Sequence, residues 1–122
     1  MHETSIAATI WDQISAVEKS NPGYEAKRVE IDVGTFSGVE QILLADALAL
    51  VAQQHERIDV EFILHEIPLA VRCEDCLIEF TITDFRFRCQ KCEGQNLRMI
   101  DGDSIRLMHL DLQIMESDKQ LA

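Results

Sequence analysis

All four cysteines of this 122-residue chain fall into two pairs, Cys73-x-x-Cys76 and Cys89-x-x-Cys92, with twelve residues between the pairs. Two residues between thiols let both sulfurs point inward from one tight turn. Two such turns supply the corners of a tetrahedron, the geometry Zn2+ takes with Zn–S distances of about 2.3 Å. The segment that carries them is roughly 30 residues long, too short to bury a core of its own, so a metal is expected to staple it. Four-sulfur coordination leaves no open position, which makes the expected site structural. Iron in the same cage and a redox dithiol are the competing readings. Thioredoxin-like chemistry, however, uses one CxxC in a βαβ setting, and here two pairs share one insertion.

Charge narrows the class further. Eleven basic residues stand against 22 acidic ones, a net of -11. Such a surface repels nucleic acid and anionic membranes. The cysteine segment itself is balanced, with five basic and five acidic residues between Ala70 and Arg98, so zinc-ribbon binding of nucleic acid is not expected. No apolar run approaches the ~20 residues of a membrane span. The N-terminus has no basic stretch followed by an apolar one, so a cytoplasmic protein without a signal peptide is expected.

Periodicity sets the layout. Ile6, Ala7, Ile10, Trp11, Ile14 and Val17 recur at steps of three and four, which predicts a helix from Thr4 to Lys19, stopped by "NPG" at 21–23. In "KRVEIDVG" Val29, Ile31 and Val33 alternate with acids, the mark of a half-buried strand. "FSGVE" predicts a helix start, with Ser37 as N-cap and Glu40 as the acid of a capping box, and the helix runs to about Gln54. "VEFILHEI" is a second strand, ended by Pro68. "SIRLMHLDLQI" is a third. There Met108, Leu110, Leu112 and Ile114 share a face while Ile105 and Leu107 are out of phase, so a bulge or an exchange of packing partner is expected near 107–108. The expected fold is α/β of the α+β kind: two amphipathic helices on one face of a three-stranded sheet, with an inserted four-cysteine, zinc-ribbon-like lobe. The expected division is residues 1–69 plus 101–122 for the α/β domain and 70–100 for the lobe.

The chain begins "MHETS". Methionine is generally kept before a large residue such as His2, so the Met1 amine is expected to stay free. With a pKa of about 7.7–8.0 it loses its proton to a metal cheaply. The Met1 amine, the His2 amide and the His2 imidazole can close fused chelate rings, and planar nitrogen donors suit Ni(II) or Cu(II). Taken alone, these residues are better accounted for by a chance histidine on a frayed terminus. His55, His65 and His109 read as surface or strand residues rather than ligands.

"MHE" at the start, "KRV" into a strand, "FSGVE" into a helix, and CxxC-x12-CxxC before "GDSIRL" and a final strand occur in one order over nearly the whole chain. This arrangement resembles the HypA/HybF family of nickel metallochaperones, which assist maturation of [NiFe]-hydrogenase and, in some bacteria, urease. The resemblance implies a nickel site at Met1, His2 and Glu3 with Glu40 associated, and a structural zinc site at Cys73, Cys76, Cys89 and Cys92. It implies a nickel-handling GTPase and the apo-hydrogenase large subunit or urease machinery as partners, with no nucleic acid or membrane, and a monomer or weak homodimer. It also implies a carrier rather than an enzyme. Leu77 stands where many members have glycine after the second cysteine, and the glycine of "CQKCEG" sits one place late. The alternative class is a zinc-ribbon adaptor or regulatory module without specific nickel binding.

Overall fold

The structure is a computed structural model and describes residues 3–115. In chain order the elements are α1 (Glu3–Lys19), β1 (Tyr24–Gly34), α2 (Gln41–Gln54), β2 (Glu61–Ile67), β3 (Leu69–Cys73), β4 (Glu79–Ile82), β5 (Leu97–Asp101) and β6 (Ile105–Ile114). The class is α+β, with two sheets of three strands: β2-β1-β6 and β4-β3-β5. Among the described residues no helix is long and apolar enough to cross a membrane.

α1 forms because its apolar positions repeat with the helical period, and it buries Ala7, Ile10, Trp11 and Ile14. Its end is closed by side chains. Ser20 Oγ donates to the Ala16 carbonyl (3.2 Å) and Asn21 Nδ2 to that of Val17 (2.8 Å), satisfying carbonyls that the helix leaves open. β1 is the central strand of the first sheet. It runs parallel to β2, a pairing that requires a crossover, and α2 is that crossover. On its other edge it runs antiparallel to β6. Ala26, Val29, Ile31 and Val33 of β1 meet the buried faces of both helices in the main core.

β6 has the expected break in phase. Glu30 faces His109 and Ile31 faces Leu107, so Met108 has no partner across the ladder. The bulge turns Ile105 and Leu107 onto the same core as Leu110 and Leu112. Met108 and Ile114, which alternation grouped with those leucines, instead lie 54% and 43% exposed. A second irregularity has no counterpart in the sequence pattern: Lys27 is passed over between the Ala26–Leu112 and Arg28–Asp111 pairs.

The expected start of α2 is corrected. Glu40, not Ser37, is the N-cap residue, in extended backbone (φ −80°, ψ 126°) and with no side-chain cap. Gly38 at φ +81° takes the chain out of helical geometry, so Ser37 Oγ only accepts from the Val39 amide (3.3 Å) in a local turn. The helix begins three residues later than a capping box would need. Nor is α2 cleanly amphipathic: beneath it lie Leu44, Leu48, Val51 and Ala52, but Ile42, Leu43 and Leu50 are exposed.

The two sheets join where β1 ends. Gly34 donates to Ser104 O (2.9 Å) and Phe36 to Gly102 O (2.8 Å). A Cβ on Gly34 would lie 2.3 Å from Gly102 O, and one on Gly102 would lie 2.4 Å from Pro68 O. Only glycine permits these backbone approaches, and Gly102 is also at φ +92°. Phe36 then enters the small second core of Leu69, Val71 and Ile82.

One polar network ties α1, β1 and the turn after α2. Arg57 grips the Glu18 carboxylate with two nitrogens (3.0 and 2.7 Å) and donates to Ala26 O (3.0 Å). Glu18 also accepts the Ala26 amide at 2.7 Å. The β1–β2 ladder starts only at Arg28, so these two side chains serve Ala26 in place of a strand. The guanidinium lies 5.6 Å from the centre of the Trp11 ring, onto which His55 also stacks. Burial pulls the Glu18 carboxyl up, but the bonds from Arg57 and the Ala26 amide outweigh it and hold its pKa below the ordinary 4.5. A depressed carboxylate pKa contributes stability that is present above the unfolded-state value and lost as pH falls through the folded one. Arg57→Met, which strands a half-buried carboxylate, is expected to cost about 2–3 kcal/mol in urea unfolding at pH 7. The penalty of Glu18→Gln should be largest at neutral pH and shrink steadily below about pH 4.5, which unfolding at pH 7, 5 and 3.5 measures.

Candidate metal centre

The cysteine cage is made by two like turns. Cys73 closes β3, and the Leu77 amide returns to Cys73 O at 2.8 Å; in the second turn the Glu93 amide returns to Cys89 O at 3.0 Å. In each, the first sulfur accepts the amide of the second cysteine: Cys76 N to Cys73 Sγ at 3.5 Å and Cys92 N to Cys89 Sγ at 3.4 Å. The four sulfurs lie within 4.8 Å of one another, with 3.6 Å between Cys73 and Cys92 and 3.3 Å between Cys76 and Cys89. A regular tetrahedron with Zn–S of about 2.3 Å has sulfurs about 3.8 Å apart, so the cage is close to the size the ion takes.

The residues after the second cysteines explain how the missing glycines are tolerated. Leu77 and Glu93 stand at φ 69° and 60°, the left-handed conformation that glycine supplies elsewhere. The turn is kept, at a cost of order 1 kcal/mol per residue. The late glycine has its own reason. A Cβ on Gly94 would sit 3.0 Å from Asp75 Oδ2 and 3.2 Å from Cys92 Sγ.

Electrostatics prepares the cage for a cation. The Cys92 amide, with help from that of Lys91, brings the Cys89 thiol down to about 6, which favours its thiolate form. The Gly94 amide lowers Cys92, but the facing Cys73 and Cys89 sulfurs prevail and push it up to about 12. Cys76 is likewise raised: the Ile78 amide lowers it, and the neighbouring Cys89 sulfur and burial outweigh that amide. Sulfurs that resist sharing negative charge are those a divalent ion would relieve. The donor set therefore fits zinc.

The other expected site residues are dispersed by comparison. Met1 and His2 lie outside the described residues. Glu3 opens the first turn of α1. Glu40 is exposed at the start of α2 and is spent on no cap. The start of α1 (Ser5, Ile6, Thr9) and the turn that leads to Glu40 (Ser37, Val39) line one groove of about 1050 Å³ against the beginning of β6. Glu3 precedes the first of these segments in the chain and Glu40 follows the second, and neither lines the groove itself.

A family model described as "Hydrogenase/urease nickel incorporation, metallochaperone, hypA" matches residues 1–112. The chain belongs to the HypA family. The hydrogenase maturation factor HypA of Shewanella oneidensis is 30% identical over 116 residues, covering 95% of this chain and 98% of that one. That of Shewanella sp. (strain MR-7) is 32% identical over 113 residues, covering 93% and 96%. The solution structure of the Ni metallochaperone HypA from Helicobacter pylori superposes with a TM-score of 0.69 at 21% identity, over 94% of this chain and 100% of the other. A second HypA solution structure gives 0.71 at 22%, over 93% and 97%. These two likenesses carry the fold.

Membership in the HypA family makes this chain a nickel metallochaperone of hydrogenase/urease maturation, with a four-cysteine cage suited to structural zinc, and implies that it meets the maturation machinery. The sequence reading passed over one acid near Glu40. Glu66, on β2, lines a groove with Glu40, Gln41, Phe62 and Leu64. Its signal was available, since Glu66 shares the strand phase of Phe62 and Leu64, the residues that face α2.

Replacing Cys73 and Cys89 together by Ser leaves two sulfurs. Elemental analysis is expected to fall from about one zinc per chain to near none, and residues 70–100 should lose their dispersed NMR signals. Leu77→Gly relieves the backbone strain and is expected to hold zinc at least as tightly against a chelator, with up to about 1 kcal/mol gained in stability.

Proposed function

We propose that this HypA-family chain carries nickel at its N-terminus and lobe-bound zinc in the four-cysteine cage. Nickel is held by the amine of Met1, the amide and imidazole of His2, and Glu3, with Glu40 beside them. Zinc is held by Cys73, Cys76, Cys89 and Cys92. The work divides between residues 1–69 with 101–122, which carry nickel, and the lobe 70–100, which gives shape and a docking face. The chain is a cytoplasmic carrier and not an enzyme.

The observation that carries the nickel site is the groove shared by the start of α1 and the Ser37–Val39 turn, together with a Glu40 carboxylate just beyond that turn that no cap consumes. Nickel must be selected, yet must leave when better ligands are offered. Ligands from a chain end, ahead of the first helix, can change hands without breaking core contacts. Deprotonating a backbone amide is repaid by Ni(II) and Cu(II) among common ions, which supplies the selectivity.

Partners follow from the lobe. "FRFR" at 85–88 leaves Phe85 73% exposed and Phe87 47% exposed, the first ring tilted against Phe36 and the second edge-on to it. Arg86 and Arg88 alternate with them and are exposed. On a chain of net charge -11 this is a basic, aromatic spot. It suits an acidic segment of the nickel-handling GTPase or of the apo-enzyme that receives the metal.

With Met1 as first residue, His2→Ala is expected to abolish tight Ni(II) binding in calorimetry while zinc content and fold are unchanged. One residue added before Met1 turns its amine into an amide and should weaken binding by orders of magnitude with every native side chain present. Equal affinity in the extended protein would remove the amine from the site, and a zinc-ribbon adaptor would show no terminus-dependent nickel site at all. Arg86→Glu with Arg88→Glu should weaken binding to the GTPase or the apo-enzyme at least tenfold, mainly through slower association; unchanged binding to both would move the docking face elsewhere.

A further inference from the structure

The face of the first sheet turned away from the helices carries a cluster that neither metal site uses. β1 presents Arg28, Glu30 and Asp32 there, between His65 of β2 and His109 of β6. His65 Nε2 lies 3.0 Å from Glu30 Oε1. His109 is the direct ladder partner of Glu30, and Asp32 is that of His65. Directly opposed residues on one face stand with Cβ atoms about 4.5–5.5 Å apart. Glu30 is thus a carboxylate flanked by an imidazole from each neighbouring strand.

We propose that this face is a further divalent transition-metal site, with Glu30, His65 and His109 as its ligands and Asp32 as a candidate fourth. Imidazole nitrogen with carboxylate oxygen is a donor set for Ni(II) or Zn(II), not for Ca(II) or Mg(II), which take oxygen. Glu30 and His65 already meet, and a metal held between them would take the place of that contact. His109 Nε2 is turned to Asp111 Oδ1 at 2.7 Å. It must rotate about its side-chain bonds to complete the site, and with its side chain 56% exposed it is free to do so. That rotation gives up the contact with Asp111, an exposed pair that water replaces at little cost. The field favours a cation. Glu30, Asp32, Glu61 and Asp111 occupy this face against Arg28 and Arg106, and Arg106 is itself paired with Asp101. Among the described residues Asp32 has no ion-pair partner. Helices and core lie on the other side of the sheet, so loading this face disturbs no buried contact and does not involve the N-terminus.

The test uses full-length, zinc-loaded His2→Ala protein, in which the terminal nickel site proposed above is already removed. Ni(II) is added and the imidazole signals are followed by NMR, with His55, stacked on Trp11, as internal control. Preferential paramagnetic broadening of His65 and His109 is expected, with a calorimetric binding event that His65→Gln, His109→Gln and Glu30→Gln each weaken about tenfold or more. These positions are exposed or half-exposed on a polar face, and an unchanged amide spectrum confirms folding of each variant. Sharp His65 and His109 signals at saturating Ni(II), or broadening that survives the His65→Gln/His109→Gln double variant at other residues, would overturn the site. Failure of nickel binding at the native terminus would leave this result untouched, because the His2→Ala background excludes it.

Discussion

Two backbones pass closer at Gly34 and Gly102 than any side chain allows, and the arrangement of both sheets depends on that contact. β1 ends there, the chain between β2 and β3 lies against it, and β6 starts shortly after Gly102. The bonds from Gly34 to Ser104 and from Phe36 to Gly102 lock the crossing. Since the link is main chain to main chain, the cysteine lobe is held at the end of β1 from which the Glu40 turn also leaves. Phe36 makes the coupling concrete. It sits between Gly34 and Glu40 in sequence, packs into the lobe's core, and touches Phe85 and Phe87 of the loop that leads to Cys89.

The lobe's own stability is differently based. Its buried apolar residues are few, and its conformational costs are real: positive φ at Leu77 and Glu93, and also at Phe85 (62°). Amide donors aimed at sulfur partly compensate by stabilising thiolate at Cys89, but the raised thiols of Cys76 and Cys92 show that four sulfurs alone are an unfavourable cluster. A divalent ion converts that repulsion into attraction, so the energy of the lobe resides in the metal bond rather than in packing.

Much of this was legible in the chain because it depends on local pattern. The 3.6-residue repeat in α1, the alternation of Val29, Ile31 and Val33, and the phase slip before Met108 all report which side chains face the core. The two CxxC turns bring sulfurs together by short-range geometry, and the structure gathers all four. What stayed hidden is what depends on distant partners. The Lys27 bulge is stabilised by Glu25 and by Asp59, 32 residues away, and Ala26 is served by Glu18 and Arg57. The Ser37–Glu40 spacing matched a capping box, but Gly38 had already diverted the chain. The placing of His109 opposite Glu30 follows only from strand order, which composition does not encode.

The Met108 bulge has a consequence for how the molecule behaves in company. β6 is an edge strand ten residues long, with one side of its hydrogen-bonding groups unclaimed within the sheet β2-β1-β6. An unbroken edge of that length is a template onto which another strand can add, and repetition of that event is aggregation. The bulge interrupts the regular spacing midway and twists the strand, while Arg106, His109 and Asp111 place polar and charged groups along it. An irregularity that brings Ile105 and Leu107 into the core thereby also spoils the sheet's outer rim as a seed for fibrous association.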